Sequence, residues 1–315
     1  IIYSSEKELG MVSKPKAGAR KVLKGVFPLL PFAIKENEEP DLDGLVQNID
    51  FLAKSGVHGF IAFGCMGEFY APSEAEFNQV VDIAVQAAGG RLAVVVGTTF
   101  QNAQECIRRT KYAERAGADG VMIAPPYTIN PTEEVVFEHY RAINEAVDEI
   151  QIMAYNYPPL PRGFNMTPHF WDRLLEFEHI KAVKESNGDV WHRTNVLTKI
   201  ADKINVFSGG EGWLFGDVLL GGKGIVSLFG IAVPKAVLAL YNACMNRDLS
   251  RAIPLHRKFT QLCGYLTGEN EVAFLKATAE IGGQKAGRPR SPYQPLDLAV
   301  HKMLEKYLAE FALIE

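Results

Sequence analysis

The chain has 315 residues, 47% of them hydrophobic, and a formal net charge of −4. That is enough to bury a large core in two ordinary domains or in one barrel of about 250 residues. A polyanionic partner is excluded by the charge balance and by the lack of a basic stripe with interleaved aromatics, and a membrane span by the lack of an apolar run near 18 residues.

In chain order, the first segment, IIYSSEKELGMVSKPKAG, has no signal-peptide apolar core and carries Glu6 and Glu8. Residues 1–24 are set aside as an N-terminal tail, with the basic cluster Lys14 to Lys24 read as a solvated arm. From Val26 onward short apolar runs alternate with longer amphipathic stretches. The candidate strands are Val26–Phe32, Gly59–Phe63, Leu92–Gly97, Gly120–Ala124, Ile150–Tyr155, Ile180–Lys184, Ile204–Ser208 and Gly224–Ser227. Each is bounded by Gly, Pro or polar residues, as buried parallel strands are. Between them, Ser73-Glu74-Ala75-Glu76, Thr132-Glu133-Glu134 and Thr167-Pro168 predict helix starts.

A pattern G-x-x-G followed by an apolar residue recurs at Gly56/Gly59, Gly117/Gly120 and Gly221/Gly224. The first glycine suits a helix C-cap and the second permits close packing where a strand begins. The spacings equal about two and four βα units, and eight such units make a (β/α)8 TIM barrel over residues 25–232. An open doubly wound sheet is the alternative, disfavoured because no phosphate-binding fingerprint is present. After the eighth strand the pattern is helical: Pro234–Met245, Leu249–Leu266, Glu271–Ile281 and Pro295–Leu313. Residues 233–315 therefore predict the last barrel helix and a C-terminal helical extension, part of the same unit because no linker intervenes. Four scattered cysteines, Cys65, Cys106, Cys244 and Cys263, form no C-x-x-C and have no spaced histidine, which fits a reducing compartment and not zinc.

Sites in this fold form at the C-terminal ends of the strands. Lys184 ends the run Ile180-Lys181-Ala182-Val183-Lys184. Alternation places it with Ala182, pointing into the barrel, and Lys181 on the opposite face with Val183. Apolar walls would lower its pKa and yield a neutral amine able to attack a ketone, although a strand-end lysine in water is the commoner case. Tyr155 would offer a held hydroxyl for proton transfer, or simply pack its ring. Gly64-Cys65-Met66-Gly67-Glu68 would present successive N–H groups to a carboxylate.

From about Gly25 to Leu296 these residues together resemble the N-acetylneuraminate lyase / dihydrodipicolinate synthase family of class I aldolases. Gly25-Val26-Phe27-Pro28 to Pro31-Phe32 is similar to the family's first strand, and Gly64 to Glu68 to its G-[ST]-T-G-E loop. Tyr155-Asn156-Tyr157-Pro158 is similar to its Y-N-x-P, and Lys184-Glu185 to its K-[EQ]. The resemblance implies a Schiff base between Lys184 and a 2-oxo acid such as pyruvate, without a separate cofactor or metal. It implies Tyr155 as proton relay, and the backbone of Cys65, Met66 and Gly67 as the carboxylate cradle. Tyr127 would reach toward a neighbouring subunit's site, and Gly209 and Val226 would line the pyruvate pocket. The expected assembly is a cytoplasmic homotetramer or dimer.

Departures from the family shape the expected substrate. Cys65 and Met66 replace the two hydroxyl residues of the loop. Leu160 stands where the synthase branch has an arginine, with Arg162 nearby after an apparent insertion. Glu211 and Leu228, also taken as substrate contacts, stand where the sialic-acid branch has its Asp-Glu pair and a serine. Met66, Phe69, Trp213, Leu228 and Phe229 would make the pocket walls apolar. The leading reading is an aldolase, hydratase-aldolase or dehydratase acting on a 2-oxo acid. The alternatives are dihydrodipicolinate synthase itself and a catalytically weak 2-oxo-acid sensor.

Overall fold

The computed structural model describes residues 20–160 and 163–311. Its strands are β1 Gly25–Pro28, β2 Gly59–Ala62, β3 Ala93–Gly97, β4 Gly120–Ile123, β5 Gln151–Asn156, β6 Ile180–Glu185, β7 Asn205–Ser208 and β8 Gly224–Ser227. The alternating helices are α1 Leu42–Ser55, α2 Glu74–Ala88, α3 Ala103–Ala116, α4 Glu133–Asn144, α5 Phe170–Leu174, α6 Val190–Ile200, α7 Glu211–Leu219 and α8 Pro234–Met245. Three more follow: α9 Leu249–Cys263, α10 Glu271–Ile281 and α11 Leu298–Ala309.

All pairings between the eight strands are parallel, in the order β1-β8-β7-β6-β5-β4-β3-β2. A parallel bridge Leu29↔Ile61 joins the two ends, so the sheet closes into a (β/α)8 barrel. Closure removes the exposed edges and lets every strand be apolar on both faces. Inside, Phe27 and Phe207 meet edge-to-face with centroids 5.2 Å apart. The repeated glycines make room for them: a Cβ on Gly224 would lie 2.5 Å from the Phe207 ring. Their helix-closing partners Gly56, Gly117 and Gly221 have φ of 85°, 100° and 100°, a region costly for residues with a side chain. The helix start read at Ser73 is present, and Ser73 and Glu76 form a capping box there.

Several details differ from expectation. The first strand leaves its ladder at Pro28, close to Pro31, which has no N–H to continue it. The last helix begins at Leu298 because Asp297 accepts from the N–H groups of Ala299 and Val300. Of the arm read as solvated, the described end is packed. Leu23 is fully buried beneath the barrel, and a Cβ on Gly120 would lie 2.9 Å from it. The Arg20 guanidinium donates to the carbonyls of Ala118 and Glu114 and is engaged by the barrel floor, whereas Lys21 and Lys24 are exposed, as the solvated-arm reading has them. Among the described residues no helix is long and apolar enough to cross a membrane.

Candidate active site

In the β5–β6 pair Tyr155 lies opposite Lys184, so both side chains enter the barrel mouth at one level. A register irregularity beside Ile152 and Met153 leaves Lys181 unpaired and exposed, while Ala182 and Lys184 stay on the inner face. The Lys184 side chain is buried, with 3% exposure, and Nζ lies 4.1 Å from the centroid of the Tyr155 ring. Burial brings the amine down from 10.5 to about 8; the nearby Cys65 and Glu271 work in the opposite direction. A neutral nucleophile is therefore accessible near physiological pH, and the ring face steadies the cation that forms on reaction.

Burial holds the Tyr155 phenol well above its ordinary value, and a hydrogen bond with Ser186 opposes this shift. Tyr155 is thus a neutral hydroxyl with a hydroxyl neighbour, suited to passing a proton without becoming a free phenolate. Ser186 follows the Lys184-Glu185 pair directly, a position the sequence reading did not single out. It packs where a Cβ on Gly209 would collide with its Oγ, so Gly209 makes room for it. The Tyr155 ring is also stacked on Tyr157, centroids 5.4 Å apart and planes 3° from parallel.

The loop after β2 stands beside these groups. Phe63 and Glu68 bracket it with φ of 55° and 57°, a conformation uncommon for residues with side chains and kept only when its surroundings enforce it. Gly67 lies so close to the preceding loop that a Cβ would come within 2.9 Å of the Leu30 carbonyl. Much of the enforcement comes from the helical extension. The fully buried Glu68 carboxylate lies 2.8 Å from Lys276 Nζ of α10, and it accepts the Arg290 N–H at 2.8 Å. The amide N–H groups of Cys65 and Met66 donate to no acceptor among the described residues, which leaves them for an incoming carboxylate.

Helix α10 supplies a second group that sequence patterning did not flag. Glu271 accepts a short hydrogen bond from the Tyr157 hydroxyl, and the Cys65 thiol donates to its other oxygen at 3.7 Å. Burial and then the Glu271 carboxylate push the Cys65 thiol up to about 12, so it stays protonated. Nothing in the local sequence Glu269-Asn270-Glu271 distinguishes this contact from a solvated helix start.

The other expected residues lie around this centre or away from it. Val226 and Leu228 are buried at the end of β8. Tyr127 packs its ring edge-on against Phe69, 5.8 Å between centroids. Glu211 is fully buried; its Oε1 accepts from Ser227 Oγ at 2.5 Å and the Phe229 N–H at 3.1 Å, so it braces the turn after β8. Trp213 lies under the Arg193 guanidinium, and Phe229 packs between Phe259 and Phe274 of the extension, so neither is placed as a pocket wall. Arg162 lies outside the described residues. On the far face of the same strand ends, Asn156 donates to both oxygens of buried Glu185, at 2.9 Å each. Arg193 pairs with Asp217 and donates to the Glu185 carbonyl at 3.1 Å. These contacts fix the ends of β5 and β6, and with them the spacing of Tyr155 and Lys184.

A sequence model of the dihydrodipicolinate synthetase family matches residues 22–311. A 4-hydroxy-tetrahydrodipicolinate synthase of Methanospirillum hungatei is 33% identical over 293 residues, covering 92% of this chain and 100% of that protein. Among solved structures, the dihydrodipicolinate synthase of Aquifex aeolicus superposes with a TM-score of 0.85 at 26% identity, covering 92% of this chain and 98% of that one. YagE from E. coli K12, a protein of the same family solved with pyruvate, gives a TM-score of 0.86 at 25% identity, covering 93% and 100%. The chain therefore belongs to the dihydrodipicolinate synthetase family and is an enzyme of the class I aldolase type.

Proposed function

We propose that Lys184 forms a Schiff base with a 2-oxo acid and that the enzyme cleaves or forms the bond beyond the adjacent carbon, with pyruvate as product or co-substrate. The observation that carries this reading is the buried Lys184 amine over the Tyr155 ring, beside N–H groups at Cys65 and Met66 that have no acceptor among the described residues. Those N–H groups take the substrate carboxylate. The neutral amine attacks C2, the carbonyl oxygen takes one proton from the amine and a second from the Tyr155 hydroxyl and leaves as water, and an iminium results. From a 4-hydroxy-2-oxo acid the hydroxyl proton then passes to the Tyr155 oxygen, which gave its own proton to the departing water, with the Ser186 hydroxyl as hydrogen-bond neighbour. The C3–C4 electrons move toward the iminium, and an aldehyde leaves. C3 of the enamine takes back a proton, and water hydrolyses the imine to release pyruvate. Gly209 and Val226 complete the pocket around the methyl end. Self-association as a tetramer or dimer in the cytoplasm belongs to this reading and rests on family membership.

Borohydride trapping with pyruvate, read by peptide mass spectrometry, tests the nucleophile. A reduced adduct on the Lys184 peptide, absent in Lys184→Ala, is expected. An adduct on Lys181, or none with any 2-oxo acid, overturns the assignment.

A second reading is favoured by likeness to the 4-hydroxy-tetrahydrodipicolinate synthase of M. hungatei: this enzyme would condense pyruvate with aspartate semialdehyde. Leu160, in place of a cationic residue, speaks against it. Supplying both substrates and following the cyclic product separates the two. An adduct without turnover on a broad aldehyde panel would identify the sensor instead.

A further inference from the structure

The barrel mouth opens into a cleft of about 560 Å³ between the strand ends and the helical extension, lined by Cys65, Tyr157, Leu160, Glu269, Glu271 and Asp297 among others. No Lys, Arg or His lines it among the described residues. Asp297 is engaged in capping α11, and Glu269 is exposed at the rim. Glu271 is different. It is held in place by the Tyr157 hydroxyl and the Cys65 thiol, and both of those residues adjoin the catalytic groups. Its charge is felt at Lys184 and at Tyr155. Tyr157 and Cys65 place one donor on each carboxylate oxygen and leave each with acceptor capacity toward the cleft, since an ionised carboxylate has about four lone-pair sites.

We infer that Glu271 is a specificity-determining residue, which makes the outer half of the site select substrates whose distal part carries hydroxyl or ammonium donors and reject those with a second carboxylate. The inference rests on the Schiff-base reading of Lys184. The chemistry follows from charge. A distal carboxylate would lie against Glu271 in a partly dry cleft, where like charges repel more strongly than in water, and would find no cation to offset the repulsion among the described residues that line it. A hydroxyl or ammonium group would instead donate a charge-assisted hydrogen bond to it.

The test compares two 2-oxo acids of equal length that differ only at the far end, 2-oxopentanoate and 2-oxoglutarate. Half-saturation is read from the borohydride-trapped adduct on Lys184, so no turnover is needed. In the wild type 2-oxoglutarate should require at least about tenfold higher concentration than 2-oxopentanoate, the size expected of one like-charge contact. Glu271→Gln, which keeps shape and hydrogen bonding, should bring the ratio to within about threefold of unity. Glu271→Asp should keep the discrimination. A role confined to holding α10 in place would weaken both ligands together and leave the ratio unchanged. Ratios that agree in wild type and Glu271→Gln, or a wild type that prefers 2-oxoglutarate, overturn the inference. Absence of any adduct with either acid or with pyruvate overturns the Lys184 assignment itself and takes this one with it.

Discussion

Replacing Lys184 by methionine should stabilise the protein at neutral pH while abolishing Schiff-base formation. The ammonium is 3% exposed, and burial lowers its pKa from 10.5 to about 8. At about 1.4 kcal/mol for each tenfold, the folded state carries a penalty of about 3 kcal/mol when the group is protonated in both states. Between about pH 8 and 10.5 the unfolded chain binds the proton and the folded one does not, so wild-type stability rises with pH in that window. Below pH 8 the penalty is fully present; above 10.5 it is gone. Methionine keeps most of the aliphatic stem and removes the charge, so about 2–3 kcal/mol should be recovered at pH 7. At this chain length that corresponds to roughly 3–5 °C in Tm. Calorimetric unfolding of both proteins at pH 7 and pH 10 measures it, with the difference shrinking at the higher pH. A variant no more stable than wild type at pH 7, or a difference that does not depend on pH, would refute the desolvation argument.

Schiff-base formation needs the neutral amine, so the rate of pyruvate adduct formation should climb with pH through about 8 and level off above it; stopped-flow or quenched trapping over pH 6–10 shows this, and a rate flat from pH 6 would contradict it. Tyr155→Phe keeps the ring under Lys184 but loses the hydroxyl; adducts should still form, while turnover falls on the order of 10²–10⁴-fold, as a kcat assay beside trapping would show. Lys276→Met leaves the buried Glu68 carboxylate without its partner at 2.8 Å. Denaturant unfolding should show a loss of about 3–5 kcal/mol, with weaker pyruvate saturation as the Cys65–Met66 loop loosens. An accompanying Glu68→Gln should restore much of the stability but not the loop's geometry.

Much of the fold and the centre of the candidate site could be read from residues in order. Short buried runs punctuated by Gly and Pro, caps such as Ser73 with Glu76, and the repeated G-x-x-G pattern are local signals, since each depends on the backbone within a few residues. The inward direction of Lys184 also followed from local alternation, because a side-chain period of two leaves only two faces. Contacts across the chain were not legible in this way. The pairing of Glu68 with Lys276 spans from the second strand to the tenth helix, and neither residue's neighbours announce it. Glu271 reads as an ordinary acidic helix start until the extension folds back over the barrel mouth and presses it against Tyr157 and Cys65. Glu211, Trp213 and Phe229 sit near strand ends in sequence, yet packing turns them toward the turn after β8, Arg193 and the extension. Local periodicity in the sequence determined the alternation of elements, the count of eight βα units pointed to the closed barrel, and the family resemblance singled out Lys184 and Tyr155 among the strand-end residues. Only the tertiary structure decided what surrounds that pair and holds its loop, because burial and charge at the mouth depend on a helix about ninety residues further along the chain.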